Sequence, residues 1–334
     1  MTAPAPDKPS RPALKFGGVA ALLLGLALLI GLVAWVGWRP VWASASAVGW
    51  AGFAIIVGYW LVVLALLGLA WFAGTLDLPW RTGWIFVWGR MVREGAADVL
   101  PFSQVGGLVL GSQSVISLGV SETKVFAATV VDLTTEMGAQ IAYTLIGVGI
   151  LAMALSGMGQ ELRAVWIGLG AVTLLAGATG AFIALQRRGI GALGWLAQRF
   201  LPDGAARGEA VVAELSRVYD SPRHLATASS LHLIGWFGAS VGSWIALKLM
   251  GSPLPLSSVI AIEALMFIAR SAGFAVPGAL GVQEGAYLLA GPLLGLHGET
   301  AVALSLLKRA RDLAIGVPTL IVWQVVESRR LLKG

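Results

Sequence analysis

Asp132 and Glu136 stand four residues apart in the stretch TVVDLTTEM. That spacing is close to one helical turn, so both carboxylates fall on one face. Their surroundings are apolar. Lys308, Arg309, Arg311 and Asp312 crowd the stretch LLKRARDLA inside a second apolar run, and Glu263 and Arg270, seven apart, share a face in a third. A charge at the centre of a bilayer costs at least ~2.5 kcal/mol on insertion scales, so such groups face a cavity and pair. Two roles fit. Asp132 and Glu136 could neutralise Lys308, Arg309 and Arg311 and lock two parts of a bundle together. Alternatively, these groups line a polar cavity that handles a lipid head group or moves protons. The sharpest expectation is that Asp132 or Glu136 pairs with Arg309.

A second kind of candidate sits where apolar sequence is broken. Arg93, Glu94 and Asp98 precede Pro101, which is followed by Gln104, Gly106 and Gly107. Arg270 precedes Pro277, which is followed by Gly278, Gly281, Gln283 and Glu284. Proline and paired glycines interrupt helices. At membrane depth a broken helix is tolerated only where protein or a watery cavity covers it. Freed backbone groups there can contact an ionic ligand; a plain tight turn is the blander reading. Residues 81–119 read as a re-entrant hairpin with its turn near Pro101, and 256–296 as a second broken segment.

Other chemistries lack their signatures. His224, His232 and His297 are scattered with no HExxH pattern, which removes the metalloprotease arrangement. There is no P-loop and no GxSxG elbow. With no cysteine in the chain, disulfides, iron–sulfur clusters and thiolate zinc sites are excluded. Gly238 and Gly242 read as a helix contact rather than a site. No cofactor is expected.

The elements that must position these residues are membrane helices. Of 334 residues, 57% are hydrophobic and 12% charged, with a mean hydropathy of +0.83. Soluble domains carry about 25% charged residues. The continuous apolar runs are those of an all-α polytopic bundle, not the alternating segments of a barrel. Residues 1–16 read as a basic tail and 17–326 as one transmembrane domain, with 327–334 as a second tail. Spans are expected at 17–37, 48–73, 124–155, 164–185, 225–250 and 300–326, with a polar, arginine-rich loop at 186–224. The first span is longer than a signal-peptide core and reads as an uncleaved anchor. Lys and Arg concentrate in the two tails and the loop, which by the positive-inside rule places all three in the cytoplasm. The net charge of +6 therefore reports topology and not nucleic-acid binding.

The broken segments resemble each other. Pro101 and Pro277 are each followed 18 residues later by a glycine, Gly119 and Gly295, and Glu122-Thr123 and Glu299-Thr300 open the next spans. The expected topology inverts the two halves, 48–155 and 225–326. Inverted repeats with Gly/Pro-interrupted segments point to a transporter-type site.

The stretches LPFSQVGG, TVVDLTTE, RSAGFAVPGALGVQEG and LSLLKRARDL resemble the flippase-like membrane region of the lysylphosphatidylglycerol synthase superfamily over 48–326. The similarity is greatest to its hopanoid-biosynthesis-associated branch. It implies two re-entrant hairpins, an inverted repeat, and movement or presentation of lipids across a bacterial inner membrane. The lysyl-lipid synthases carry a soluble catalytic domain after this region. This sequence ends at Gly334, so aminoacyl transfer is not expected. The expected protein is a lipid translocase or transport factor, not an enzyme. Its expected partners are membrane lipids (hopanoid or phospholipid) and either a second copy or other lipid-transport proteins. A membrane-embedded acid/base enzyme using Asp132, Glu136 or Glu284, and a scaffold docking through 186–224, are the alternatives.

Overall fold

A computed structural model describes residues 30–31, 34, 37–99, 103–157, 159, 166, 170, 173, 177, 204–252, 254–272 and 280–331. The spans expected at 17–37 and 164–185 lie almost wholly outside these residues. The described residues form helices and turns, with no strand among them.

The order is α1 (Trp38–Ser46), α2 (Gly49–Ala73), a short 3-10 turn at Trp80–Thr82, α3 (Gly83–Val99) and α4 (Ser103–Ser117). Then come α5 (Glu122–Gly157), α6 (Gly204–Tyr219), α7 (Pro222–Leu249), α8 (Leu256–Ala272) and α9 (Val282–Ala290). A 3-10 turn, Gly291–Leu294, leads into α10 (Gly298–Leu331). Helices α2, α5 and α7 are long and apolar enough to cross a membrane. Helix α10 has 34 residues but carries Lys308, Arg309, Arg311 and Asp312 within it, and Pro318 further on. The polar stretch 186–224 is not all loop, because α6 occupies its second part and lays Val211, Leu215 and Val218 against Ala127 and Val131 of α5.

Helices α3 and α8 have 17 residues each, about 25 Å at 1.5 Å per residue. That is short of a hydrocarbon core of about 30 Å. Each returns through a second short helix. Gly107 of α4 lies on the Arg93 carbonyl, Gly111 on Gly89 and Arg93, and Gly89 on Val115, so α3 and α4 run antiparallel. A Cβ on Gly107 would stand 2.5 Å from that carbonyl oxygen, so glycine is needed for the approach. Helices α8 and α9 are likewise antiparallel: Glu263 meets Tyr287, while Leu254, just before α8, lies beside Gly295.

The two pairs open towards opposite sides of the bundle. Lys124 donates to the Leu76 carbonyl, Arg217 reaches Asp77, and Arg330 meets the Ser117 carbonyl. One side therefore holds the start of α3, the end of α4, the start of α5 and the end of α10. On the other side Val41 packs on Val302 and Ala303, and Gly52 lies on Leu249. That side holds the start of α8, the end of α9 and the start of α10. Exposed tryptophans flank α2 at both ends, with Trp38, Trp42 and Trp50 at one and Trp80 and Trp84 at the other. Such rings favour the membrane–water interface.

The halves touch through backbone. Gly95 of α3 and Gly316 of α10 are so close that a Cβ on Gly316 would stand 3.0 Å from the Gly95 Cα. Gly238 and Gly242 of α7 lie against Val63 and Tyr59 of α2, the helix contact expected of them. Gly316→Val should therefore lower stability by at least ~1–3 kcal/mol, because backbone cannot move aside as a side chain can. Gly138→Val, at a site with nothing within 4 Å of the new Cβ, should be tolerated. Unfolding in mixed detergent micelles compares the two.

Candidate functional site

The ionisable groups on the inner helix faces gather into linked clusters. In the first, α3 supplies arginine and α5 supplies acid. Arg93 donates from Nη1 to Asp132 at 2.6 Å and from Nη2 to Glu136 at 3.1 Å. Arg90, one turn earlier, reaches Glu136 at 2.7 Å through Nη2 and Glu94 at 2.9 Å through Nε, with Asp132 at 3.5 Å. Asp132 also meets His232 Nε2 of α7 at 3.0 Å. Arg90, Arg93, Asp132 and His232 are buried, and Glu94 and Glu136 are half-buried.

The second cluster joins α7, α8, α9 and α10. Lys308 Nζ donates to both Glu263 oxygens at 3.0 and 2.9 Å, to the Tyr287 hydroxyl at 2.7 Å and to Ser243 at 3.3 Å. Tyr287 donates to Glu263 at 2.5 Å. One turn along, Glu284 accepts from Arg309 at 2.7 Å, from Ser305 at 2.8 Å and from the Gly281 N–H at 2.8 Å. Gln283 donates to Ser305 at 2.7 Å. Gly281 holds φ +77°, a left-handed backbone that glycine tolerates and that opens α9.

A third set lies between the first two. Arg270 of α8 faces Asp98 of α3 at 3.6 Å. Asp98 is within electrostatic reach of Glu94, Asp312 and Arg311. Arg311 pairs with Asp312 at 2.6 Å and lies 3.8 Å over the Trp60 ring of α2. The ends of α3 and α8 thus meet near the middle of the bundle, and charges line that meeting.

The expected pairing of Asp132 or Glu136 with Arg309 is overturned. Asp132 and Glu136 are held by Arg93 and Arg90, with His232 also on Asp132, and Arg309 turns to Glu284. The physical reason is reach: the long Arg90 and Arg93 side chains extend from α3 to Asp132 and Glu136 on α5 and occupy them, while Arg309 is taken up by Glu284 of α9. The lock across the bundle, with Asp132 and Glu136 on Lys308 or Arg311, fails for the same reason, since Lys308 serves Glu263 and Arg311 serves Asp312.

Arg93, Glu94, Asp132, Glu136, Glu263, Arg270, Gln283, Glu284, Lys308, Arg309, Arg311 and Asp312 are thus brought to the clusters. Gly106 and Gly107 serve the α3–α4 contact region instead. Pro101, Pro277 and Gly278, and the side chain of Gln104, lie outside the described residues. Arg90, His232, Tyr287, Ser243 and Ser305 join the clusters without having stood out in sequence. Arg90 carried a signal, since it lies three before Arg93 and four before Glu94 on one helical face. His232 carried none beyond its place in an apolar span.

Outside the membrane-spanning segments, Arg217 holds the exposed Asp77 carboxyl below the usual carboxylate range, through a hydrogen bond and its charge. This exposed pair ties α6 to the α2–α3 connection and adds little energy.

Apolar helices that bury ion-paired clusters and bear tryptophans at both ends define a multi-pass α-helical membrane protein. Residues 22–318 match the family described as the lysylphosphatidylglycerol synthase TM region, and the chain belongs to it. No curated protein and no solved structure matches the chain.

Proposed function

We propose that the protein is a lipid translocase or lipid transport factor of a bacterial inner membrane, with hopanoids or phospholipids as the lipids moved. The observation that carries this reading is the charge-lined meeting of two short helix pairs that open to opposite sides. We read the pairs as re-entrant hairpins and the halves as an inverted repeat, the arrangement that builds midplane sites in transporters. By the positive-inside rule the side bearing Asp77 and Arg217 is cytoplasmic, as are both termini. A polar head group needs a path that replaces its lost water. Guanidinium and carboxylate groups in exchangeable pairs offer one, since a lipid phosphate can take the place of the carboxylate and a hydroxyl that of either partner. Membership of a lipid-related family supports the same reading, and the hopanoid assignment rests on resemblance in the four quoted stretches.

An acid/base enzyme is less well supported. Asp132, Glu136 and Glu284 are each tied to an arginine, which occupies the oxygens an acid/base residue would turn to its substrate. The test is reconstitution of the purified protein into vesicles with fluorescent phospholipid or labelled hopanoid. Accelerated exchange between leaflets is expected with at least one. No acceleration with either overturns the translocase reading.

A further inference from the structure

His232 belongs to no pattern in the sequence, yet it sits at the centre of the bundle with no exposed surface. Its Nε2 meets Asp132 Oδ1 at 3.0 Å. Asp132 is a carboxylate already accepting from Arg93 at 2.6 Å. An ionised carboxylate only accepts hydrogen bonds, so Nε2 must carry the proton. In the neutral ring Nδ1 is then a bare lone pair, and it meets no protein partner. A buried lone pair without a donor is costly. A proton on Nδ1 makes it a donor that equally lacks a protein partner, so what favours the proton is the charge of the cluster beside the ring.

The charge around it has room for that proton. The cluster holds three carboxylates (Glu94, Asp132 and Glu136) against two guanidiniums, those of Arg90 and Arg93. Imidazolium would balance it. Among the described residues, these other charged or titratable groups on the helices packed against α7 are engaged. On α5, Tyr143 shares a 2.5 Å hydrogen bond with Ser240. On α2, Tyr59 donates to the Gly238 carbonyl. On α8 and α10, Glu263 and Lys308 hold each other near Ser243. On α6, Arg217 holds Glu214 and Asp77.

His232, Trp236, Ser240 and Ser243 also recur on one face of α7, at spacings of four, four and three. This stripe runs from the Asp132 cluster to the Lys308 cluster, about 16 Å along the helix. Trp236 Nε1 is buried on it without a partner.

We propose that His232 Nδ1 is a proton-binding site, and that the protein couples lipid movement to a proton taken from water on one side and returned on the other. An N–H bond forms at Nδ1 on uptake and breaks on release, with water as donor and acceptor. Protonation neutralises the Asp132 cluster and deprotonation restores its surplus negative charge. The protein thus alternates between two charge states at the junction of α5 and α7. The proposal rests on the translocase reading for its coupling, while the proton site itself stands on the geometry.

Two measurements test it. In proteoliposomes, a pH difference of one unit should bias the leaflet ratio of labelled lipid up to about tenfold for one proton per lipid. His232→Gln should lose the bias, at whatever rate of exchange remains. Exchange that ignores the gradient in the unaltered protein overturns the coupling and leaves the translocase standing. Exchange that never occurs overturns the translocase reading instead, and the second measurement then decides the site. The variant His224→Gln/His297→Gln leaves His232 as the only histidine. Its ring nitrogen-15 signals should convert from neutral to imidazolium as the pH is lowered over the range in which the protein stays folded. Signals that stay fixed across that range overturn the site, whatever the vesicles show.

Discussion

Lys308→Met should lower the folding stability of the protein in mixed micelles by about 3–5 kcal/mol, the range seen when one partner of a buried ion pair is removed. Lys308 Nζ is the cation that both oxygens of Glu263 depend on, at 3.0 and 2.9 Å. Glu263 has no exposed surface. Without the ammonium, its charge keeps only the Tyr287 hydroxyl at 2.5 Å. Pairing the change with Glu263→Gln removes the stranded charge, and a neutral buried pair is often as stable as an ionic one. Lys308→Met/Glu263→Gln should therefore recover most of the lost stability. Equilibrium unfolding of the four proteins gives the coupling energy directly. Lipid exchange then separates lock from path. A lock is satisfied by any stable replacement, so a double variant that is stable but slow assigns the pair to lipid movement. Wild-type exchange in that variant would make the pair structural.

Arg93→Gln should be of similar severity, about 3–5 kcal/mol. Arg93 forks between Asp132 and Glu136 at 2.6 and 3.1 Å, and its loss leaves Glu136 to Arg90, and Asp132 to His232 and the more distant Arg90. Arg93→Lys should recover only part of the loss, because an ammonium is a point charge and does not present the flat fork that spans two acids. Arg217→Gln breaks an equally short pair, 2.7 Å to Asp77, but at the exposed edge. Its loss of stability should be much the smaller of the two, because water and salt screen an exposed pair. The contrast between Arg93 and Arg217 measures burial rather than distance, and unfolding in mixed micelles reads both.

Much of the helical layout is legible in the sequence. The apolar runs at 48–73, 124–155, 225–250 and 300–326 correspond to α2, α5, α7 and α10, with ends shifted by a few residues. In sequence, Pro101 falls between α3 and α4 and Pro277 between α8 and α9, where a proline, which removes a backbone donor, is expected to interrupt a helix. Pairing was harder to read. Spacing places Asp132 and Glu136 on one face but does not say which helix lies opposite. The likeness of the two halves made Arg309 the attractive partner. The structure instead closes Asp132 and Glu136 with arginines reaching from α3, and Glu263 and Glu284 with Lys308 and Arg309 of α10. His232 was illegible for a related reason: a lone histidine in an apolar span has no periodicity, and its meaning comes from Asp132, 100 residues away. Helix α6 was hidden by its arginines, which read as loop although its apolar residues cover α5.

The pairing of buried charges also fixes what an electric field can do to this protein. A membrane potential does work only on net charge that moves, about 2.3 kcal/mol per elementary charge per 100 mV. Arg93 moving together with Asp132, or Lys308 together with Glu263, carries no net charge across the field. Rearrangements that keep these pairs intact are electrically silent, so voltage gains purchase on the bundle when a pair parts, when a proton is carried across, or when a charged head group passes through it.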